Sequence, residues 1–514
     1  MKSTKPSTFG MLLAGIALPL LRAFAFPVVH VPAPLVRYVA PGGSNTNPGT
    51  RLRPFRTISF ALRNAVPGET IFVRRGVYAE HVELQRSGSA ARGYITLRNY
   101  PGEHPIIDGY RLRHWLGSLG IDALIAIEDA SYVRVVGLEL RGLKTSSANI
   151  VAAGIFVSGS GSHIELLNNH IHNISTSVKT AEGNAFGIAV YGTRAPQSIS
   201  DLLIDGNELD HLVTGSSESL TINGNVQHFT ITRNTVHDNN NIGIDAIGFE
   251  QTSPDPTYDQ ARDGIISCNL VYNISSAHNP AYGINGYGAD GIYVDGGTRI
   301  VISRNIVHNC DIGVEMASEH HLRFTSFIDA RSNLIFANNS TGVSVGGAST
   351  QNGGTRFCTV FNNTLYHNDS LKSGNGEVTV QYNAAGCRFA NNIIDANEQG
   401  ILISSAGSAS IAGTFNYNLY HAPRGVVPHW NWLNHSFITL NAFRYASNQE
   451  TKGLFSDPLF INSSADNLMV QPISPAINRG EFLTARDVGE RDVAGHSRTR
   501  GGAIDLGAYE HDAP

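Results

Sequence analysis

Charged residues make up only 15% of this 514-residue chain, so any local cluster of carboxylates stands out. Three fall in consecutive copies of a short alternating pattern: Asp245 in GIDA, Asp295 in GIYVD and Glu315 in GVEM. Paired carboxyl groups are what glycosidic bond hydrolysis uses, one as proton donor and one as nucleophile or base. Crowding of like charges keeps one of them protonated. The expected pair is Asp295 and Glu315, with Asp245 assisting. Tyr293 and Tyr191 offer apolar faces to a sugar, and Asn223 and Gln381 offer polar contacts from neighbouring copies of the pattern. The loop that leaves the strand after Glu315 carries His320 and His321, either of which suits proton transfer. No cofactor is required for this chemistry. The alternative is a calcium site built from Asp245, Asp295 and Glu315, since calcium takes hard oxygen ligands. Ca2+ would then assist β-elimination on a uronate polymer.

The elements that must hold these residues are short strands. Each copy begins with Gly or a small residue and alternates apolar and variable positions, as in Gly154-Ile155-Phe156-Val157 and Gly342-Val343-Ser344-Val345. Period two sends apolar residues inward and their neighbours outward. The first outward position then runs Phe156, Ala189, Thr221, Asp245, Tyr293, Glu315, Ser344, Thr379. The second runs Ser158, Tyr191, Asn223, Ile247, Asp295, Ala317, Gly346, Gln381. With coils about 4.8 Å apart and alternate residues about 6.6 Å apart along a strand, the Asp295 and Glu315 Cα atoms lie roughly 8 Å apart. Long excursions at residues 248–263 and 275–290 flank this region and are expected to wall a cleft.

A second repeat sets the fold. An Asn recurs at 169, 207, 234, 269, 305, 333, 363, 392 and 418, each opening a short run of mixed or apolar residues that ends in His, Tyr, Phe or Asp. Such Asn residues tolerate the left-handed bend and bond backbone, and stacked amides bond one another. The spacing predicts a solenoid with two short strands per coil, an all-β right-handed parallel β-helix. His172, His237, His308 and His421 are read as a structural stack. Cys358 and Cys387 precede successive ladder Asn residues and are read as a disulfide or as two stacked thiols.

Domain organisation follows. Residues 1–25 carry a basic start, an apolar core and a small-x-small site, the pattern of an export leader. Residues 26–69 hold an N-terminal segment whose 54–66 stretch has helical spacing and plugs the first coil. Residues 70–421 form the coils, and 422–514 form a loop-rich cover for the other end. The expected location is extracellular or periplasmic, without a membrane span and as a monomer. A formal net charge of -5 argues against a nucleic-acid partner.

The opening YVAPGGSNTNPGT, PFRTISFAL and VPGETIFVRRGVY (residues 38–78), with the closing DPLFIN, SPAIN and DLGAYE (457–510), resembles right-handed β-helix proteins of the pectate-lyase-like superfamily. The resemblance implies the fold and a polysaccharide or oligosaccharide substrate. Members include lyases, glycoside hydrolases, epimerases and proteins without demonstrated activity, so a non-catalytic glycan-binding or cell-surface role is a further alternative. The GIYVD run ending at Asp295 is similar to a Gly-Ile start in β-helix glycosidases that carry Asp and Glu on neighbouring coils. Glu315 departs from it, standing third rather than fifth in its run. For elimination a base is needed. Lys144, Lys179, Lys372 and Lys452 are the lysines beyond the leader, none at an outward position beside the cluster; Arg299 and Arg323 are nearer.

Overall fold

Apart from Met1, the computed structural model describes residues 35–115, 117–283, 285–406, 412–500 and 502–511. The leader expected over residues 1–25 falls outside them.

From Leu35 onward the chain forms one compact unit of three parallel sheets with 15, 13 and 13 strands. Each coil gives one strand to each sheet, which makes a parallel β-helix. One turn runs from Leu220–Gly224 through Val226–Thr232 and Thr235–Asn239 to Ile244–Ile247. The sequence suggested two strands per coil. The third was missed because a single residue, Asn225, separates Leu220–Gly224 from Val226–Thr232, too little to mark a turn. The first sheet also begins earlier than the expected coil boundary at residue 70, because strand Val36–Val39 pairs in parallel with Thr70–Val73.

Stacked apolar residues fill the interior. Ile155, Ile188, Leu220, Ile244, Ile292, Val314 and Val343 pair in unbroken register, and each is fully buried. Burying a side chain of this size stabilises by about 1.5–3 kcal/mol, so the column is a main source of cohesion. The Asn ladder flanks it. Each Asn donates its side-chain N–H to the next Asn's carbonyl oxygen, from Asn169 to Asn207 at 3.0 Å through to Asn392 and Asn418 at 2.9 Å. At the last rung Asn418 donates to the buried Glu450 at 2.6 Å, and the Tyr420 hydroxyl donates to the same oxygen at 2.8 Å. His237, Tyr272, His308 and Phe336 stack ring on ring outside the ladder.

The N-terminal helix is Ile58–Arg63, shorter than the helical spacing suggested. Thr57 caps it, and the Ile58 and Ser59 N–H groups donate to Glu80 at 2.8 and 3.0 Å. The cover at the other end also differs from expectation. Strands His429–Trp432 and His435–Phe437 and helix Leu440–Ser447 close it, with Trp430 and Phe443 fully buried. The segment beyond residue 457 runs back along the flank of the coils instead. Buried Arg498 reaches Ser332 at 2.8 Å and Glu510 at 3.0 Å, and Leu468 packs on Leu334 and Phe336. Cys358 and Cys387 are free buried thiols in adjacent coils, and each donates to a backbone carbonyl, of Arg356 and Ala385.

Candidate functional site

The sheet that contains Ile244–Ile247 carries the acidic face. Its strands begin with Gly for a steric reason: a Cβ on Gly291 would lie 2.4 Å from the Val307 side chain of the ladder sheet. Gly291 and Ile292 therefore both face the core, and the alternation restarts at Tyr293. The register places Phe156, Ala189, Thr221, Asp245, Tyr293, Glu315, Ser344 and Thr379 in one outward column. Ser158, Tyr191 and Asn223 form the second column, and Asp295 pairs with Ala317 further along it. Tyr293 thus stands between Asp245 and Glu315, and Asp295 lies two residues further along the Tyr293 strand.

The carboxyl groups occupy unlike environments. Glu315 accepts from the Ser344 hydroxyl at 2.7 Å and from the Gln381 amide at 3.2 Å. The buried carboxyl of Asp290 lies beside it. Burial raises the proton affinity of Glu315, while the Ser344 and Gln381 donors favour its anion. Asp290 is buried beside Glu315 and is driven well above the carboxylate range, first by desolvation and then by Glu315. Burial, followed by Glu319, likewise raises Asp295 well above that range, although the Glu319 N–H donates to it at 3.0 Å. Asp245 is raised well above it by burial, then by Glu218 and Asp295. Burial, then Glu250, pushes Glu218 up to about 8. Tyr293, between them, is fully enclosed, and burial pushes its hydroxyl far upward.

Four acids join the cluster that the outward pattern did not supply: Glu218, Glu250, Asp290 and Glu319. Asp290 sits ahead of the Gly291 break, where strict alternation loses phase. Glu250 comes from the 248–263 loop and accepts from Asn223 at 2.9 Å. Asp259 folds that loop back by accepting from the Gln251 and Ser253 N–H groups at 2.6 and 2.8 Å. The 275–290 loop is fastened by Asp311, which accepts from Ser276 at 2.8 Å and Ala289 at 3.1 Å, and it brings Tyr282 toward Glu218. Both loops therefore border the acidic face.

Donor atoms of Glu250, Asp295 and His320 all lie within 4.8 Å of one another. Asp245 Oδ1, Asp290 Oδ1, Asn223 Oδ1 and His320 Nε2 are buried atoms without a hydrogen-bond partner. A divalent cation fits this donor set. It is not the Asp245, Asp295 and Glu315 set expected from the sequence, because Glu315 is turned to Ser344, Gln381 and Asp290. A histidine among the ligands also suits a borderline metal better than calcium. His321 points elsewhere, its Nδ1 lying 2.8 Å from the Gln351 carbonyl oxygen. Arg299 is held by Asp263 at 2.6 Å, and the Arg323 guanidinium lies 5.2 Å from the Phe249 ring centre. Among the described residues, no Lys or Arg forms an ion pair with Glu218, Asp245, Glu250, Asp290, Asp295 or Glu315. No helix among them is long and apolar enough to cross a membrane.

Comparison with known proteins places this architecture. Residues 37–197 match the model described as Pel9A-like, right handed beta helix region, and residues 153–356 and 225–416 match the right handed beta helix region. The uncharacterized protein YwoF of Bacillus subtilis is 36% identical over 469 residues, spanning 91% of this chain and 98% of its own. Pectate lyase PEL9 of Emericella nidulans is 35% identical over 111 residues, 20% of this chain and 27% of that enzyme. The crystal structure of pectate lyase Pel9A aligns with a TM-score of 0.50 at 15% identity, covering 93% of this chain and 96% of that one.

Proposed function

Since the chain belongs to the right-handed β-helix family, we propose that it is an extracellular carbohydrate-active enzyme that hydrolyses glycosidic bonds of a neutral glycan. The observation that carries this reading is the contrast between Asp295 and Glu315. Burial raises both, but Asp295 is raised well above the carboxylate range by burial and Glu319, while Ser344 and Gln381 donate to Glu315 and favour its anion. Two carboxyl groups whose surroundings favour the proton to different degrees suit the roles of acid and base.

Asp295 protonates the glycosidic oxygen, and the bond to the anomeric carbon breaks. Glu315 works at that carbon as nucleophile, or takes a proton from the attacking water. Either way one water is consumed and Asp295 recovers its proton. Tyr293, lying between Asp245 and Glu315, forms the floor of the site, and Asp245 adds to the proton affinity of Asp290. A neutral substrate is favoured because, among the described residues, no Lys or Arg forms an ion pair with the cluster and so none is placed there to neutralise a uronate carboxylate. Glu315→Gln and Asp295→Asn, assayed by release of reducing ends from neutral glycans, test the assignment. Turnover in either variant equal to wild type removes that residue from its role.

A second reading rests on Glu250, Asp295 and His320 and on the local identity to a pectate lyase. Those three residues would hold a divalent cation, which would neutralise a uronate carboxylate and favour β-elimination. A chelator then abolishes activity, and the product absorbs in the ultraviolet.

A further inference from the structure

Charge is segregated along the solenoid. Residues 35–115, which form the N-terminal cap and the first coils, hold twelve arginines, no lysine and five acidic residues, a formal net charge of +7. Residues 116–514 hold 22 Lys and Arg against 37 Asp and Glu, a formal net charge of -15. Further along the coils Arg134, Arg194 and Arg299 are each matched by an acid, Glu165, Asp129 and Asp263, at 2.6, 2.7 and 2.6 Å. In the first coils Arg51, Arg53, Arg56, Arg63, Arg75 and Arg92 are exposed, and among the described residues none of these six forms an ion pair.

Five arginines gather on the outward side of the first sheet. Strands Val36–Val39, Thr70–Val73 and Ile95–Asn99 pair in parallel and set Tyr38, Phe72 and Arg98 in one outward column. The Tyr38 and Phe72 rings stack with 5.7 Å between centres, and Tyr100 packs edge-on against Phe72 at 5.6 Å. Guanidinium groups stand against these rings. Arg74 and Arg51 lie 4.6 and 5.5 Å from the Tyr100 ring centre, and Arg98 lies 5.9 Å from that of Phe72. Arg53 is fixed next to Arg51, since its carbonyl oxygen accepts from the Gly49 N–H at 3.1 Å and Gly49 in turn accepts from the Tyr38 N–H at 2.8 Å. The Arg75 N–H donates to Glu103 at 2.6 Å, and the same carboxylate is already spent on the Arg74 side chain.

A guanidinium laid against an aromatic ring loses little freedom on binding, and its N–H edge stays free for two parallel bonds to a carboxylate. Lysine offers only a point charge, and this segment has none. The patch is remote from the acidic face. From Thr70–Val73 the first sheet takes six coils, roughly 29 Å, to reach Arg262–Ser267, the strand that follows Asp245 in its coil. Screening at physiological salt acts over about 8 Å, so the two charged regions select ligands independently.

We propose that the arginine surface around Tyr38, Phe72 and Tyr100 is a non-catalytic docking site for an acidic polysaccharide, a uronate polymer, which tethers the enzyme beside the neutral glycan it cuts. The choice of a polysaccharide as partner rests on the carbohydrate reading above; the cationic surface does not. Carboxylates repeated along one polymer complement guanidinium groups clustered on one face. In a matrix where neutral and acidic chains are mixed, such a tether raises the local concentration of the neutral chain without touching the chemistry at Asp295 and Glu315.

The test is affinity electrophoresis of the full-length protein through gels containing polygalacturonate, alginate or no glycan, with chelator present so that no metal bridges a uronate to the acidic face. Both uronate polymers are expected to retard wild type, less so as salt is raised. A triple variant, Arg51→Gln with Arg53→Gln and Arg75→Gln, is expected to bind at least about tenfold more weakly while its turnover of a soluble neutral glycan matches wild type. A second triple variant, Arg424→Gln with Arg479→Gln and Arg491→Gln, removes the same charge from exposed arginines beyond the coils and should be retarded like wild type. Equal loss in both triple variants shows an effect of net charge and overturns the site. Unchanged retardation of the first, folded triple variant overturns it too. Co-sedimentation with phosphatidylglycerol vesicles, without retardation by either uronate polymer, overturns the class of partner. If uronate binding depends on the three arginines and no neutral glycan is turned over, the docking surface stands and the hydrolytic reading falls. If neutral glycan is turned over and no uronate polymer binds, the docking surface alone falls.

Discussion

Asp290 and Glu315 are buried beside each other on adjacent strands of one sheet, and burial raises the proton affinity of both. The Ser344 hydroxyl and the Gln381 amide donate to Glu315 and favour its anion, which suits it to act as base or nucleophile. Glu315→Gln therefore keeps the shape of the site and loses its base. Turnover of a neutral glycan is expected to fall at least about a hundredfold, with the thermal midpoint near that of wild type. Asp290→Asn should have a smaller effect on rate. It keeps a polar side chain of the same shape beside Glu315.

The pH profile of kcat/KM should be bell-shaped. The lower limb reports ionisation of Glu315. The upper limb reports loss of the Asp295 proton, and it lies well above the ordinary carboxylate range because burial and Glu319 hold that proton. Asp295→Asn is expected to remove the upper limb together with most of the activity. A profile still rising through the usual carboxylate range and flat to alkaline pH would contradict the assignment of Asp295 as acid.

Stability should decline as pH rises. Glu218 is raised from an ordinary 4.5 to about 8, chiefly by burial and then by Glu250. Between those values the folded chain keeps a proton that the unfolded chain has released, so each pH step favours unfolding. The contribution is fully favourable below about 4.5 and is lost by about 8. Thermal midpoints should therefore fall from pH 5 to pH 8, and Glu218→Gln should flatten the decline and be the more stable protein at pH 8. A midpoint that rises across this window would show that Glu218 is not buried as a neutral acid.

Removing one rung should damage the scaffold. Asn269 accepts from the Asn234 side chain at 3.0 Å and donates to Asn305 at 3.0 Å, all in the interior. Asn269→Ala leaves buried partners unsatisfied on both sides and should cost roughly 3 kcal/mol in denaturant titrations. Asn269→Asp is expected to be worse, since it replaces the donor with a charge.

The ladder and the outward column were legible in the sequence because each is a strictly local pattern repeated by stacking. An Asn in every coil and an apolar residue at every second position need no tertiary information. The third sheet was not legible, because its strands follow the site strands after single residues such as Asn225. Asp290 escaped because Gly291 breaks the alternation it belongs to. Glu218 and Glu250 lie outside the strands, and only folding of the 248–263 loop brings Glu250 beside Asn223 and Asp295. The metal-capable trio is a tertiary product for the same reason: two of its members, Glu250 and His320, come from loops. The thiol pair Cys358 and Cys387 was legible in register, while its reduced state follows from the three-dimensional structure.

Cation binding separates the two functional readings without reference to turnover. If Glu250, Asp295 and His320 hold a metal, then Mn2+, Zn2+ or Ca2+ should raise the thermal midpoint of wild type in a concentration-dependent way. His320→Ala should abolish the shift. The hydrolytic reading expects chelator-treated protein to keep its activity.

The most direct test is digestion of a polysaccharide panel, neutral and uronate-containing, read simultaneously by reducing ends and by ultraviolet absorbance of unsaturated products. Hydrolysis by Asp295 and Glu315 predicts reducing ends from a neutral glycan with no ultraviolet signal, unaffected by chelator and lost in Glu315→Gln. An ultraviolet-absorbing product from a uronate polymer, formed as well by Glu315→Gln as by wild type, would contradict it.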